Sequence, residues 1–334
     1  MMKAFFLLSL FAISALGHGV HEEPEDIALF RRNNLNERHE IQKRCAGTLS
    51  SINKRRVERR GFSGPEVRAD EEVSPLALCT MVGQTTEGPY YINNELFRTN
   101  VTDGQAGVPL KLHLTIMDVA TCAILPSAFV EIWSANATGY YSGFTGSTNA
   151  KRAPQSGPFD GADKAGSGGG GRNATDNLTF QRGVAQANAN GEVTINANVP
   201  GWYTGRAVHI HVRVFENSTV ASNGTFVSKS GTLHHTGQIY FDQDVVDSVA
   251  KLSPYSSNKL AYASATTNAR DGIYPYSTYG GYNPNLDTSL LGSTLANGLL
   301  GEIVITINRT YTSPMLSTAV HTRRADLPVG EDED

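Results

Sequence analysis

The sequence predicts a mainly β fold, an antiparallel β-sandwich with long loops and few short helices, and three observations predict it. Leu110 to Ile116 and Glu192 to Val199 alternate apolar and polar residues, as a strand with one buried face does. Phe129 to Trp133, Val208 to Phe215, Gly237 to Phe241 and Glu302 to Ile307 are short runs rich in β-branched and aromatic residues. Pro, Gly, Asn and Asp punctuate these runs, and only Val245 to Lys251 reads as a short helix. Many short strands without helices between them favour a sandwich or barrel over an alternating β-α fold.

Taken in order, the chain opens on Met1-Met2-Lys3, an apolar run from Ala4 to Ile13 and small residues to Gly17. That is the order of a secretory signal peptide over residues 1–17, and the run is too short to span a bilayer. Residues 18–72 are rich in Glu, Arg, Lys and Asn and read as a propeptide or disordered linker. The folded domain is expected over 73–312, followed by an acidic disordered tail, 313–334, that ends in Gly-Glu-Asp-Glu-Asp. The glycine run Gly168 to Gly171 lacks the strand-then-helix setting of a phosphate loop and reads as a flexible insertion.

Charge and modification signals agree with an extracellular chain. A net charge of −4 gives no reason to expect nucleic acid or an anionic membrane surface as partner. Asn100, Asn136, Asn173, Asn177, Asn217, Asn223 and Asn308 each open a glycosylation sequon. Of the three cysteines, Cys79 and Cys122 flank the first predicted strand and are expected to pair. Closing about 44 residues would contribute roughly 4 kcal/mol. Cys45 is then left over, and cleavage at Lys54-Arg55-Arg56 or Arg59-Arg60 would remove it with the propeptide.

The residues able to do chemistry cluster in two stretches. In Val208 to Phe215, side chains alternate faces, so His209, His211, Arg213 and Phe215 share one face of a strand. Two imidazoles about 6 to 7 Å apart along a strand can converge on one metal ion. The same pair could equally be two histidines on a solvent face. Tyr203 precedes the strand in a Pro200-Gly201 turn, and Glu131 to Gly143 runs a strand into a loop bearing Tyr140 and Tyr141. Tyrosinate is a hard donor suited to Fe(III), whereas zinc more typically recruits cysteine or carboxylate with histidine. His234 and His235 form a weaker pair, and no G-x-S-x-G elbow supports a hydrolase.

The strings G-Y-Y-S-G at 139–143, P-G-W-Y at 200–203, R-A-V-H-I-H at 206–211 and G-Q-I-Y-F at 237–241 together resemble the intradiol ring-cleavage dioxygenases, and T-E-G-P-Y-Y at 86–91 resembles the start of their catalytic domain in the secreted fungal branch. The resemblance covers about residues 75–310. It implies a non-haem Fe(III) ion held by Tyr141, Tyr203, His209 and His211, with Tyr141 rather than Tyr140 because it directly precedes Ser-Gly. It also implies that Arg206 and Gln238 lie near the reacting carbons, with Tyr203 a proton acceptor and an aromatic diol and O₂ as substrates. The helical dimerisation segment of the intracellular catechol enzymes has no counterpart here, which leaves the oligomeric state open. A secreted β-sandwich that binds aromatics or iron without turnover is the other reading.

Overall fold

A computed structural model of the chain describes residues 40–60 save 42, 80–81, 84–146, 173–278 and 282–320. The expected signal peptide, Cys79 and the glycine run lie outside the described residues.

Two sheets face each other across one apolar core. The first is a four-stranded antiparallel sheet in the order β4 (Arg182–Gln186), β3 (Phe129–Ser134), β6 (His209–Glu216) and β9 (Thr232–Tyr240). The second runs β1 (Thr80–Met81), β11 (Leu299–Ile307), β2 (Pro109–Asp118) and β5 (Glu192–Asn198), with β10 (Asp287–Leu290) also paired to β11. A small hairpin, β7 (Thr219–Val220) with β8 (Phe226–Val227), stands apart. The expected antiparallel pairing holds throughout the first sheet, between β2 and β5 and between β10 and β11. β11 runs parallel to β1 and to β2, because these strands lie at opposite ends of the domain and the chain between them supplies the crossover that parallel pairing needs.

Period-two alternation decides what each face does. Leu110, Leu112, Leu114 and Ile116 of β2 point inward and meet Ile210, Val212 and Val214 of β6 in one buried cluster. The other face of β6 carries the histidines away from that core, onto the outer side of the four-stranded sheet. The expected helix near Val245 is present as Gln243–Val249 and packs Val246 and Val249 against the core.

Two boundaries need correction. Within 18–72, expected to be a propeptide or linker, Ala46–Arg59 forms a helix, α1, that packs on the outer face of the second sheet. Cys45, Leu49 and Ile52 follow helical spacing and bury against Met117 and Val304. The basic clusters read as cleavage sites are ion-paired instead: Arg55 Nε bonds Glu192 at 2.9 Å, Arg56 Nη2 bonds Asp287 at 2.8 Å and Arg60 Nε bonds Glu302 at 2.7 Å. Of the expected tail, residues 313–320 are extended chain that docks on the domain. Ser313 N donates to Leu233 O at 2.7 Å, and Asn93 Nδ2 donates to Ser317 O at 2.8 Å.

The disulfide is also corrected. Cys122 pairs with Cys45 and not with Cys79, the Cα atoms 5.1 Å apart. The expected pairing placed both cysteines beside one strand. The observed one instead ties α1 to the turn after β2, across a sequence separation of 77.

His235 is fully buried with neither ring nitrogen hydrogen-bonded, and burial lowers its pKa to about 4. In the unfolded chain it protonates near pH 6.5, so the folded state binds fewer protons between those values. Its stabilising contribution is therefore whole above pH 6.5 and is lost as pH falls toward 4. His235→Leu is expected to flatten the acid limb of the stability profile by about 3 kcal/mol. Chemical denaturation at a series of pH values reads this directly, and an unchanged acid slope would contradict it.

Candidate metal centre

Strand register assembles the site. On the outer face of the first sheet, Arg182, Trp133, His211 and Gln238 lie in one row across β4, β3, β6 and β9, each opposite the next. His209 is opposite Tyr240 in the next row, and Glu131 is opposite Arg213. Three loops close over these rows. Residues 84–93 bring Tyr90 and Tyr91, 135–146 bring Tyr141, and 199–207 bring Tyr203 and Arg206.

The four sequence-predicted ligands converge. His209 Nε2 lies 3.0 Å from His211 Nε2, 3.5 Å from the Tyr141 hydroxyl and 3.5 Å from the Tyr203 hydroxyl. All four side chains are buried. Tyr140 is only partly buried and is not among these contacts. His234 bonds Tyr311 O at 2.9 Å and lies 3.3 Å from Glu216, so neither member of the 234–235 pair joins the cluster.

The close approach of Tyr203 to Tyr141 depends on a glycine. A Cβ on Gly201 would lie 2.1 Å from Ala137 O, while Gly201 N donates to Asn136 O at 2.9 Å. The turn before Tyr203 thus rests directly on the backbone of the Tyr141 loop, and the atoms a Cβ would meet, Ala137 O and C and Asn136 O, all belong to the main chain. Gly201→Ala is expected to push the two tyrosines apart and weaken metal binding at least ~10-fold, the effect typical of lost ligand support. Gly47→Ala, which meets nothing within 4 Å, should leave binding unchanged. Equal affinity in the two variants, measured by metal titration, would refute the dependence.

Three of the four side chains are held by their surroundings. His209 Nδ1 donates to Ala207 O at 2.6 Å, which fixes the tautomer and turns the Nε2 lone pair toward the cluster. His211 is oriented by packing: its ring stacks on Trp133 at 4.6 Å and 7°, and the backbone of Gly88 lies against its other side. Tyr90 stacks on Tyr141 at 4.7 Å. Arg182 is fully buried and donates to Tyr90 O at 2.6 Å and to Ser142 O at 2.8 Å, so it ties two of the covering loops together. Behind Trp133, Arg213 pairs with Glu87 and stacks 3.9 Å over Tyr91, whose hydroxyl donates to Glu131 at 2.9 Å.

Burial sets the charge of the cluster. It pushes Tyr203 up to about 12 and raises Tyr141 further, so both phenols keep their protons. It also lowers His209 to about 3, with the charge of Arg206 acting in the same direction, so the imidazole is neutral. A neutral imidazole lone pair then faces a second imidazole and two phenols, all buried. This donor set fits a hard, highly charged cation, which would take the two phenols as anions and the two imidazoles as neutral ligands. Metal–ligand bonds of about 2 Å put adjacent donors roughly 3 to 3.5 Å apart, as they are here. Among the described residues no three His, Cys, Asp or Glu side chains group around a metal position.

Arg206 and Gln238 meet beside the cluster, Nη2 to Oε1 at 2.5 Å, and the Tyr240 hydroxyl donates to the same Gln238 oxygen at 2.8 Å. Two participants escaped the sequence reading. Trp133 was visible as a strand aromatic but its partner could not be known before β3 and β6 were paired. Asp271, which bonds Arg206 Nε at 2.9 Å, carries no local signal at all.

No protein-family model matches the chain, and no curated protein matches it. Among solved structures, it is similar to an intradiol ring-cleavage dioxygenase from Tetranychus urticae at 28% identity, covering 72% of this chain and 99% of that one with a TM-score of 0.54. A second dioxygenase structure is 27% identical, with 72% and 99% coverage and a TM-score of 0.53. The family suggested by the sequence is therefore also the family of its structural relatives.

Proposed function

We propose that this chain, which belongs by structure with the intradiol ring-cleavage dioxygenases, opens catechol-type aromatic diols with O₂ between their two hydroxyl-bearing carbons, giving muconate-type diacids. The observation that carries the reading is the meeting of two phenols and two imidazoles within 3.5 Å on one buried face. Tyr141, Tyr203, His209 and His211 would hold a non-haem Fe(III) ion, which supplies Lewis-acid activation of the bound diol toward O₂.

The chain's own groups do the rest. Tyr203 is the less deeply buried phenol of the two, at 7% against 0% for Tyr141, and so is the better placed to take a substrate proton. Arg206 turns one guanidinium edge toward Gln238 and Tyr240, where a fixed positive charge stabilises negative charge developing on the ring. Trp133, Tyr90 and Gly88 exclude water behind the ligands.

An oxidising, extracellular setting completes the reading. It is supported by the signal-like residues 1–17, the Cys45–Cys122 disulfide and exposed sequons at Asn100, Asn217, Asn223 and Asn308. Asn136 differs, since its Nδ2 already donates to Gln105 at 3.0 Å. Among the described residues no helix is long and apolar enough to cross a membrane.

The test is the visible spectrum and iron content of purified protein, then oxygen uptake with catechol. A tyrosinate-to-Fe(III) charge-transfer band, near one iron per chain and stoichiometric O₂ consumption are expected. Iron and colour without oxygen uptake would favour binding without turnover, and a protein that stays colourless with Fe(III) would end the metal reading.

A further inference from the structure

Arg206 is held from behind. Asp271 lies on the segment that follows the short turns after the Gln243–Val249 helix, 65 residues from Arg206, and its carboxylate is fully buried. One oxygen, Oδ2, accepts from Arg206 Nε at 2.9 Å and from Ala207 N at 2.6 Å. The other, Oδ1, accepts from Ile273 N at 2.7 Å, Tyr274 N at 2.8 Å and Arg206 Nη2 at 3.3 Å. The carboxylate is thus fixed by three backbone N–H groups before it grips the guanidinium at two points. Tyr274, anchored by the same oxygen, packs edge-on against Tyr240 at 4.9 Å, and Tyr240 in turn contacts Arg206 and Gln238.

We propose that Asp271 is the positioning residue of the site: it holds the Nε–Nη2 edge of Arg206, so that Nη2 stays placed against Gln238 and Tyr240 beside the four-residue cluster. This rests on the dioxygenase reading above. An arginine side chain gives up much rotamer freedom when it is held in one geometry. Here the cost is met in the folded protein, before any substrate arrives, which is what a preorganised electrostatic group requires. Burial works against ionising Asp271, yet the charge and hydrogen bonds of Arg206 together with the Ala207 N–H hold the carboxyl below its usual value. Asparagine at this position would keep the volume but present an NH₂ to a ring of donors.

The experiment compares wild type, Asp271→Asn, Asp271→Glu, Arg206→Ala and the Asp271→Asn/Arg206→Ala double variant. The readouts are iron content, anaerobic catechol binding, oxygen uptake and the ¹⁵N resonance of Arg206 Nε. Asp271→Asn is expected to keep its iron and charge-transfer band, lose the shifted Nε–H signal and fall roughly 10- to 100-fold in turnover, the range of supporting residues. Catechol affinity should change much less, and Asp271→Glu should recover part of the loss. If Asp271 acts through Arg206, the double variant will be no slower than Arg206→Ala alone. Additive losses, unchanged turnover in Asp271→Asn, or loss of iron or fold in both Asp271 variants would overturn the proposal. A wild-type protein that consumes no oxygen would overturn the dioxygenase reading itself, whereas an active wild type with an indifferent Asp271→Asn overturns the positioning role alone.

Discussion

His209→Ala is expected to leave the protein folded but nearly free of iron, with oxygen uptake reduced roughly 10³-fold or more, well beyond the 10- to 100-fold cost of losing a supporting residue. The reason is its place at the centre of the cluster. Its Nε2 lies within 3.5 Å of all three other donors, and its Nδ1 is committed to Ala207 O. Removal leaves His211, Tyr141 and Tyr203 without the nitrogen that lies within reach of each of them. Tyr203→Phe should be milder. It keeps three donors, so iron should be retained in part while the charge-transfer colour shifts and substrate deprotonation slows. Iron content by elemental analysis beside oxygen uptake separates the two variants. Full iron loading in His209→Ala would remove this histidine from the ligand set and leave the convergence of the four side chains without a function.

The degree to which the site could be read from sequence follows the range of the interactions. Period two alone puts His209 and His211 on one face and Ile210 and Val212 on the other, because a strand alternates regardless of its neighbours. The tyrosines were reachable only through the family resemblance, since nothing local tells Tyr141 from Tyr140. The structure separates them by burial, with Tyr141 inside and Tyr140 only partly buried. Trp133 against His211 required the β3–β6 register, and Asp271 against Arg206 required a loop to return across the sheet. Neither leaves a trace in spacing. The strand β4, Arg182–Gln186, was missed because it is short and carries arginine and glycine, yet both are buried by the loops above it.

The amino-terminal segment failed for a different reason: its charges were read without their partners. Arg55, Arg56, Arg59 and Arg60 look like processing sites or a solvated run until Glu192, Asp287 and Glu302 are seen beneath them. Glu302 is fully buried, and a buried carboxylate is tolerable only with its cations in place. The helix and the acidic face of the sheet are therefore one structural unit, written 137 to 243 residues apart.

Breaking the covalent tie of that unit should have the second large effect. Cys45→Ser is expected to lower stability by about 4.5 kcal/mol, the chain-entropy figure for the 77-residue separation closed by the disulfide. In a domain of this size that is a fall in Tm of roughly 10 °C or more. The apolar contacts of Leu49 and Ile52 and the arginine pairs would still favour docking, so the helix should loosen without the sandwich unfolding at once. Hydrogen exchange should therefore rise first over 46–59 while β2 and β6 stay protected. Cys79→Ser supplies the decisive comparison. With Cys122 already committed to Cys45, it should leave the denaturation midpoint unchanged. If instead Cys79→Ser costs as much as Cys45→Ser, the two cysteines compete for Cys122 and α1 is not permanently fastened. An undiminished midpoint in Cys45→Ser would mean that the ion pairs alone hold the helix, and that the disulfide closes a loop already ordered in the unfolded chain.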